Sequence, residues 1–181
     1  MTPPKLPLDE RPVIVAIAGP NGAGKTTFYE AHVAHAGLRF VNADKLALAL
    51  GIGPYEAAQL ADAVRTYLMT QQESFCFETV LSDPVGEKVA VLQEAHKSGY
   101  NVVLIFIGLD GPSTSEQRVA MRVSQGRHDV PTDKLNDRFP RTMANLVRAI
   151  ESLPHVWVYD NSDLARPFHL TAVYQRGERV Y

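Results

Sequence analysis

Apolar residues along this chain form short blocks whose spacing alternates between the patterns of strands and of helices. Uninterrupted apolar runs at 13–18 and 101–109 predict strands that are buried on both faces. Shorter runs predict further strands at 39–42, 74–81 and 156–159. Strands of this kind are typical of a parallel sheet that is covered by helices.

The segments between these strands carry apolar residues at helical spacing. They predict helices at 24–36, 44–50, 55–72, 113–125 and 132–153, and another that begins at Pro84 and ends at Gly99. Pro140 lies within the last helical segment and is expected to kink or restart it, because proline removes a helical hydrogen bond.

Strands that alternate with helices predict one α/β domain over residues 1–181, a three-layer sandwich whose parallel sheet has helices on both faces. Right-handed crossovers then place the functional loops at the carboxyl ends of the strands. The Pro-rich residues 1–11 are expected to form a flexible lead-in, and residues 168–181 a hairpin around Arg176 and Gly177.

Composition excludes several classes of protein. With 45% hydrophobic residues in a chain of 181, the protein is expected to fold around a core. No apolar run approaches the length of a membrane span and no apolar segment begins the chain, so we expect no membrane and a cytoplasmic location. The single cysteine, Cys76, excludes a disulfide framework and fits a reducing compartment. A net charge of −2 argues against nucleic-acid binding through bulk basic charge.

A phosphate-binding motif follows the first predicted strand. Residues 19–26, GPNGAGKT, match G-x-x-x-x-G-K-[ST] between a buried strand and a helix. Glycines let several backbone N–H groups point at one anion, Lys25 supplies a charge for the β and γ phosphates, and Thr26 a hydroxyl for Mg²⁺. The predicted nucleotide contacts are Gly19, Pro20, Asn21, Gly22, Ala23, Gly24, Lys25, Thr26 and Thr27. The motif alone does not separate a kinase from a GTPase, a motor or a synthetase, although no guanine-recognition signature is present.

Several residues near strand ends carry candidate chemistry. Asp44 follows the second strand, where it can accept the proton of an acceptor hydroxyl if that strand neighbours the first; the alternative is a helix N-cap. Glu78, in an otherwise apolar strand, either faces the ligand crevice or forms a structural ion pair. Cys76 is interpreted as a core residue rather than a reactive thiol. Asp110 either holds Mg²⁺ or, as Gly-Pro after it favours, begins a turn.

Arginine is concentrated in residues 118–148, which carry +4 while the rest of the chain carries −6. One interpretation is a set of solvated helix faces, which we expect for Arg148 and Arg138. The other is a lid over residues 113–131 whose guanidinium groups close on phosphates and exclude water. His128, near the tip of such a lid, has no second histidine at metal-ligand spacing.

Taken together, these residues resemble the zeta-toxin family of P-loop kinases in its short, single-domain form. The matching segments follow family order from residue 13 to about residue 168. They are GPNGAGKTTF, FVNADKLA, SFCFETVLS, GYNVVLIFIGL, RVAMRVSQGRHDVP, RFPRTMANL and VYDNS. The resemblance implies an adenylate-kinase-like P-loop NTPase fold with a small helical lid, and ATP and Mg²⁺ as cofactors.

The resemblance also assigns roles to residues. Asp44 becomes the general base, and Lys25 and Thr26 bind phosphate and Mg²⁺. The implied substrate side consists of Asp44, Glu78, Thr79 and Arg141. The implied lid arginines, counted with the catalytic groups, are Arg118, Arg122 and Arg127. Asp160 and Asn161 are implied near the adenine, with Asn161 a nucleotide contact. Arg127 replaces a glycine that we expect at this place in the family.

The function predicted from the sequence is therefore an ATP-dependent kinase acting on an alcohol group. Better-known members of the family phosphorylate the sugar 3′-hydroxyl of UDP-N-acetylglucosamine, and this sugar nucleotide is the expected acceptor. An antitoxin protein is the expected partner, with no nucleic acid and no membrane. Two alternatives stay open: a kinase of another small metabolite or antibiotic, and a switch in which ATP binding only regulates a partner.

Overall fold

A seven-stranded sheet forms the centre of the computed structural model, which describes residues 4–123 and 130–181. The strands are β1 Val13–Ala18, β2 Arg39–Val41, β3 Phe75–Thr79, β4 Asn101–Gly108, β5 His155–Asp160, β6 His169–Gln175 and β7 Glu178–Arg179. Their order across the sheet is β2-β3-β1-β4-β5-β6-β7. The first five strands are parallel, whereas β6 and β7 pair antiparallel at one edge.

Helices connect the parallel strands. They are α1 Lys25–Phe28, α2 Ala43–Leu50, α3 Pro54–Thr70, α4 Glu87–Lys97, α5 Pro112–Val123 and α6 Thr132–Ser152. After α1 the chain continues as a π-helical turn, Tyr29–Val33, and a 3₁₀ turn, Ala34–Ala36. Among the described residues, no helix is long and apolar enough to cross a membrane.

Both faces of β1 are fully buried, which explains its uninterrupted apolar run. Ile14, Ala16 and Ala18 pack with apolar residues of α3, α4 and α6, whereas Val15 and Ile17 pack on the other face with the α1 segment. A strand that is covered on both faces has no solvent-exposed side, so its sequence does not alternate between apolar and polar residues. The sheet therefore lies between two apolar layers, as the sequence predicted.

The predicted strands and the terminal hairpin are confirmed, with four corrections. The sheet is mixed rather than wholly parallel, because the hairpin adds antiparallel strands to it. Strand β2 does not neighbour β1, since β3 lies between them. Helix α4 begins at Glu87 rather than Pro84. Helix α6 continues through Pro140 without restarting, because tertiary packing of its apolar face compensates for one lost backbone hydrogen bond.

Candidate active site

The phosphate loop, residues 19–24, connects the carboxyl end of β1 to α1. Two of its glycines are required by their surroundings. Gly19 has a φ of 144°, and a Cβ there would lie 2.2 Å from the Ile107 carbonyl oxygen. Gly24 has a φ of 89°, and its Cβ would lie 2.9 Å from Asn161 Nδ2. Larger residues would be strained by their backbone angles and would collide with neighbouring atoms, so the loop geometry depends on glycine.

Lys25 reaches back over the loop that precedes it. Its ammonium donates hydrogen bonds to the carbonyl oxygens of Gly19, at 2.9 Å, and Pro20, at 3.0 Å. The positive charge is thereby held over the loop rather than extended into solvent. Thr26 is half-buried beside it, and Thr27 points to a more exposed position on α1.

Glu78 lies at the carboxyl end of β3, which pairs directly with β1 through Ile17 opposite Glu78. One of its carboxylate oxygens, Oε1, is buried and accepts no hydrogen bond. Burial raises the pKa of Glu78, while Lys25 and the polar side chains of Thr26 and Asn42 act to lower it. Glu78 therefore faces the phosphate loop, which supports the crevice interpretation over a structural ion pair.

Asp44 lies in the first turn of α2 and is exposed. Its negative charge is close enough to Glu78 to act in raising the pKa of that carboxyl. The N-cap of α2 is Asn42, whose side chain accepts a hydrogen bond from the Lys45 N–H at 2.9 Å. The N-cap interpretation of Asp44 is therefore wrong, and the Asp44 carboxylate is left available for other contacts.

A cavity of about 590 Å³ extends from Glu78 and Thr79 between α3 and α6. Arg141 of α6 lines it, with its Nε donating to the Asp137 carbonyl oxygen at 2.9 Å. Arg138 lines it as well, which corrects the expectation that this arginine is only a solvated surface residue. The cavity thus joins the predicted substrate residues Glu78, Thr79 and Arg141 in one space.

Sequence reasoning missed other polar residues of this cavity. They are Asp62, Arg65, Ser82, Asp83, Lys88, Lys134 and Asp137. Arg65 forms an ion pair with Asp62, and its guanidinium lies 4.7 Å from the centre of the Phe77 ring. The spacing of Asp62 and Arg65, three residues apart on a helix, is the signal that was available. It did not show which face of α3 meets the cavity.

Buried polar side chains of α6 fix the wall of this cavity. Thr142 donates to the Val80 carbonyl oxygen at 2.9 Å, and Asn145 donates to the carbonyl oxygens of Leu81 and Asp83 at 2.9 and 2.8 Å. These bonds tie α6 to the loop that follows β3. The arginines of α6 are consequently held at a fixed place relative to Glu78.

Two of the three predicted lid arginines, Arg118 and Arg122, belong to α5. Arg118 lies beside the phosphate loop in the middle of α5, and its guanidinium donates to the Ser162 carbonyl oxygen at 3.0 Å. Arg122 lies one turn further along α5. Arg127 and His128 lie outside the described residues, as do all residues 124–129 of the predicted lid 113–131. The lid therefore stays a prediction.

Three further predicted residues have clear surroundings. Asn161 is buried and its amide donates to the Ala23 carbonyl oxygen at 2.9 Å, so it holds the phosphate loop. Cys76 is fully buried, and burial raises the pKa of its thiol, in line with a core role. The Asp110 carboxylate accepts a hydrogen bond from the Thr114 hydroxyl at 2.5 Å, at the start of α5.

The residues present fit a bound nucleoside triphosphate with Mg²⁺. The glycines form a cradle that a Cβ would fill, a lysine ammonium lies over that cradle, and the Thr26 hydroxyl and the Glu78 carboxylate supply oxygen donors of the type that Mg²⁺ prefers. Among the described residues, no group of three or more His, Cys, Asp or Glu side chains could hold a metal ion by itself. A metal here would depend on the phosphates for most of its ligands.

Comparison with solved structures shows the same fold in several proteins. A chain of the AvrRxo1-ORF1:AvrRxo1-ORF2 complex solved with ATP has a TM-score of 0.62 at 18% identity, over 93% of this chain and 60% of that chain. The Streptococcus pneumoniae PezAT toxin-antitoxin system gives 0.60 at 16% identity, over 96% of this chain and 72% of that chain. A gluconokinase from Sinorhizobium meliloti 1021 gives 0.52 at 19% identity, over 87% and 86%.

These likenesses concern the fold, which is that of a P-loop NTPase. The chain spans only about 60% of the length of the AvrRxo1-ORF1:AvrRxo1-ORF2 chain that it matches. A comparison with curated protein sequences found no significant match. The family model described as zeta toxin, however, matches residues 54–171, from α3 into β6, a range that holds every residue lining the cavity except Ala43. On this match, which includes Glu78, Thr79 and Arg141, the chain belongs to the zeta toxin family.

Proposed function

We propose that this protein is an ATP-dependent kinase that transfers the γ-phosphoryl group to a hydroxyl of a small acceptor. The observation that carries the proposal is the placement of Glu78. It lies one residue before the end of β3, the strand that pairs with β1, and its pKa responds to both Lys25 and Asp44. It also lines the cavity of about 590 Å³. A phosphate site and an acceptor-sized cavity thus share one carboxylate.

Each residue has a role that follows from its position. Lys25 neutralises phosphate charge and leaves its carbonyl partners when a phosphate competes for the ammonium. Thr26 and Glu78 would hold Mg²⁺, which would supply charge neutralisation at the phosphates. Although β3 separates β2 from β1, Asp44 is close enough to Glu78 to act on its pKa, and we assign to Asp44 the proton of the acceptor hydroxyl. Arg141 orients anionic or polar groups of the acceptor.

For the acceptor we propose UDP-N-acetylglucosamine. The size of the cavity lies within the range for small-molecule sites, and Arg138 and Arg141 offer charge for the diphosphate. Family membership supports the same choice. An antitoxin protein is the proposed partner, since the structural neighbours include the PezAT toxin-antitoxin system. The proposed reaction consumes ATP, and the buried cysteine carries a free thiol; both fit a cytoplasmic location.

Steady-state release of ADP tests this function. ADP formation from ATP and Mg²⁺ should accelerate when UDP-N-acetylglucosamine is added, because the acceptor hydroxyl replaces slow attack by water. Lys25→Ala should abolish both rates, and Arg166→Ala, which alters an exposed ion pair that does not line the cavity, serves as the control. An unchanged rate of ADP release across a panel of hydroxylated acceptors would instead support the regulatory switch.

A further inference from the structure

Two buried side chains hold the phosphate loop from its outer side. The Ser115 hydroxyl of α5 donates to the Asn21 carbonyl oxygen at 2.6 Å. The Asn161 amide, just after β5, donates to the Ala23 carbonyl oxygen at 2.9 Å. Ser115 is 2% exposed and Asn161 is 5% exposed. The loop is therefore supported at two alternate carbonyl groups, one on each side of Gly22.

Each supported carbonyl determines the direction of the next amide. In a planar trans peptide, the C=O and the following N–H point in opposite directions. A hydrogen bond to the Asn21 carbonyl therefore turns the Gly22 N–H away from α5. In the same way, a bond to the Ala23 carbonyl turns the Gly24 N–H away from Asn161. The directions of the Gly22 and Gly24 N–H groups are therefore set by hydrogen bonds to the carbonyl groups that precede them.

Glycine makes this support necessary. Gly22 and Gly24 have φ values of 76° and 89°, a region that glycine enters readily but does not prefer over its mirror region. The peptides before them can therefore rotate at little cost when their carbonyls have no partner. A rotated peptide would present a carbonyl oxygen, rather than an N–H, to an anion in the loop.

The two supports are themselves fixed to each other. Asn161 Oδ1 accepts a hydrogen bond from the Phe168 N–H at 3.2 Å. Arg118, one turn after Ser115, donates to the carbonyl oxygen of Ser162, the neighbour of Asn161. The start of α5 and the turn after β5 therefore form one rigid support under the loop.

We propose that Ser115 and Asn161 are positioning residues, which direct the Gly22 and Gly24 amides toward bound phosphate. This role replaces the predicted direct contact of Asn161 with the nucleotide, since both ends of its amide are engaged within the protein. It rests on the proposed function only in that the loop binds phosphate groups.

Titration calorimetry with inorganic tripolyphosphate and Mg²⁺ tests the proposal without any phosphoryl transfer. Ser115→Ala should weaken binding about 3- to 10-fold, the range expected when one hydrogen bond is lost. The matched control is Thr114→Ala on the same turn of α5, since the Thr114 hydroxyl bonds to Asp110 and not to the loop. Thr114→Ala should lower the Tm about as much as Ser115→Ala does and leave the Kd for tripolyphosphate unchanged.

Equal Kd values for Ser115→Ala and wild type, or an equal loss in Thr114→Ala, would overturn the proposal. Asn161→Ala, where melting curves show that it folds, should weaken tripolyphosphate binding further than Ser115→Ala. In kinetics, Ser115→Ala should raise the KM for ATP with little change in kcat, a split that a general loss of stability would not produce. Wild-type protein that binds tripolyphosphate but transfers no phosphoryl group would refute the proposed function and still support this role.

Discussion

Asp44→Asn changes the proposed general base and leaves its surroundings nearly intact. The substitution keeps the size of the side chain and removes only its charge and basicity. Because Asn42 caps α2, replacing Asp44 breaks no capping hydrogen bond. The structure therefore separates an effect on chemistry from an effect on folding.

The expected magnitudes differ widely. Loss of a general base lowers kcat by about 100- to 10,000-fold. Loss of one negative charge in the first turn of a helix costs about 0.3–1 kcal/mol, which lowers the Tm by no more than about 4 °C for a chain of this size. Asp44 also contributes to the raised pKa of Glu78, so the variant should lower the pKa of the Glu78 carboxyl.

The assay compares turnover with ATP affinity, measured by titration, and with the melting temperature. Asp133→Asn is a matched control, because Asp133 holds the same second position of α6 as Asp44 does in α2. The control should lose similar stability and keep its turnover. Asp44→Asn should keep its affinity for ATP within a few-fold. If its kcat stays within threefold of wild type, Asp44 is not the base.

Three further variants probe the rest of the site. Glu78→Gln should lose activity and yet raise the Tm at neutral pH, because burial raises the pKa of Glu78 and its charged form destabilises the fold. This gain in Tm should shrink as the pH falls through the raised pKa, and it should vanish below the ordinary value of 4.5, where the wild-type carboxyl binds a proton in both the folded and the unfolded state. A lower Tm at every pH would refute this. Arg141→Ala should raise the KM for the acceptor about 10-fold or more and leave the KM for ATP unchanged. The control variant Arg166→Ala should change neither KM. If the two variants have equal effects, Arg141 does not bind the acceptor. Lys25→Ala should lower turnover by orders of magnitude and still melt cooperatively; near wild-type turnover would exclude a phosphate role for Lys25.

Local features of the fold could be predicted because local physics determines them. Strands β1 and β4 are apolar throughout because both of their faces are covered, and that pattern is visible in the sequence. The phosphate motif is recognisable in the sequence because its turn needs glycine at positive φ, although the atoms that exclude a Cβ at Gly19 and Gly24 belong to the distant residues Ile107 and Asn161. Glu78 stands out in the sequence because a carboxylate in an apolar strand is costly to bury unless it has a partner or faces a ligand.

Long-range packing accounts for what the sequence did not indicate. The position of β3 between β2 and β1 is a choice of sheet order, and no single segment encodes it. The cavity residues Arg65 and Lys88 lie on helices whose sequences resemble ordinary amphipathic surfaces. Ser115 gave no signal, because its role depends on a carbonyl group 94 positions earlier in the chain.

Transfer of a phosphoryl group to a defined acceptor is the central claim, and mass spectrometry of the acceptor tests it most directly. UDP-N-acetylglucosamine incubated with ATP, Mg²⁺ and the wild-type protein should gain one phosphoryl group. The same incubation with Lys25→Ala should leave it unmodified, because that variant lacks the ammonium held over the phosphate loop. An acceptor that stays unmodified while wild-type protein converts ATP to ADP would contradict the account, as would equal phosphorylation by the variant.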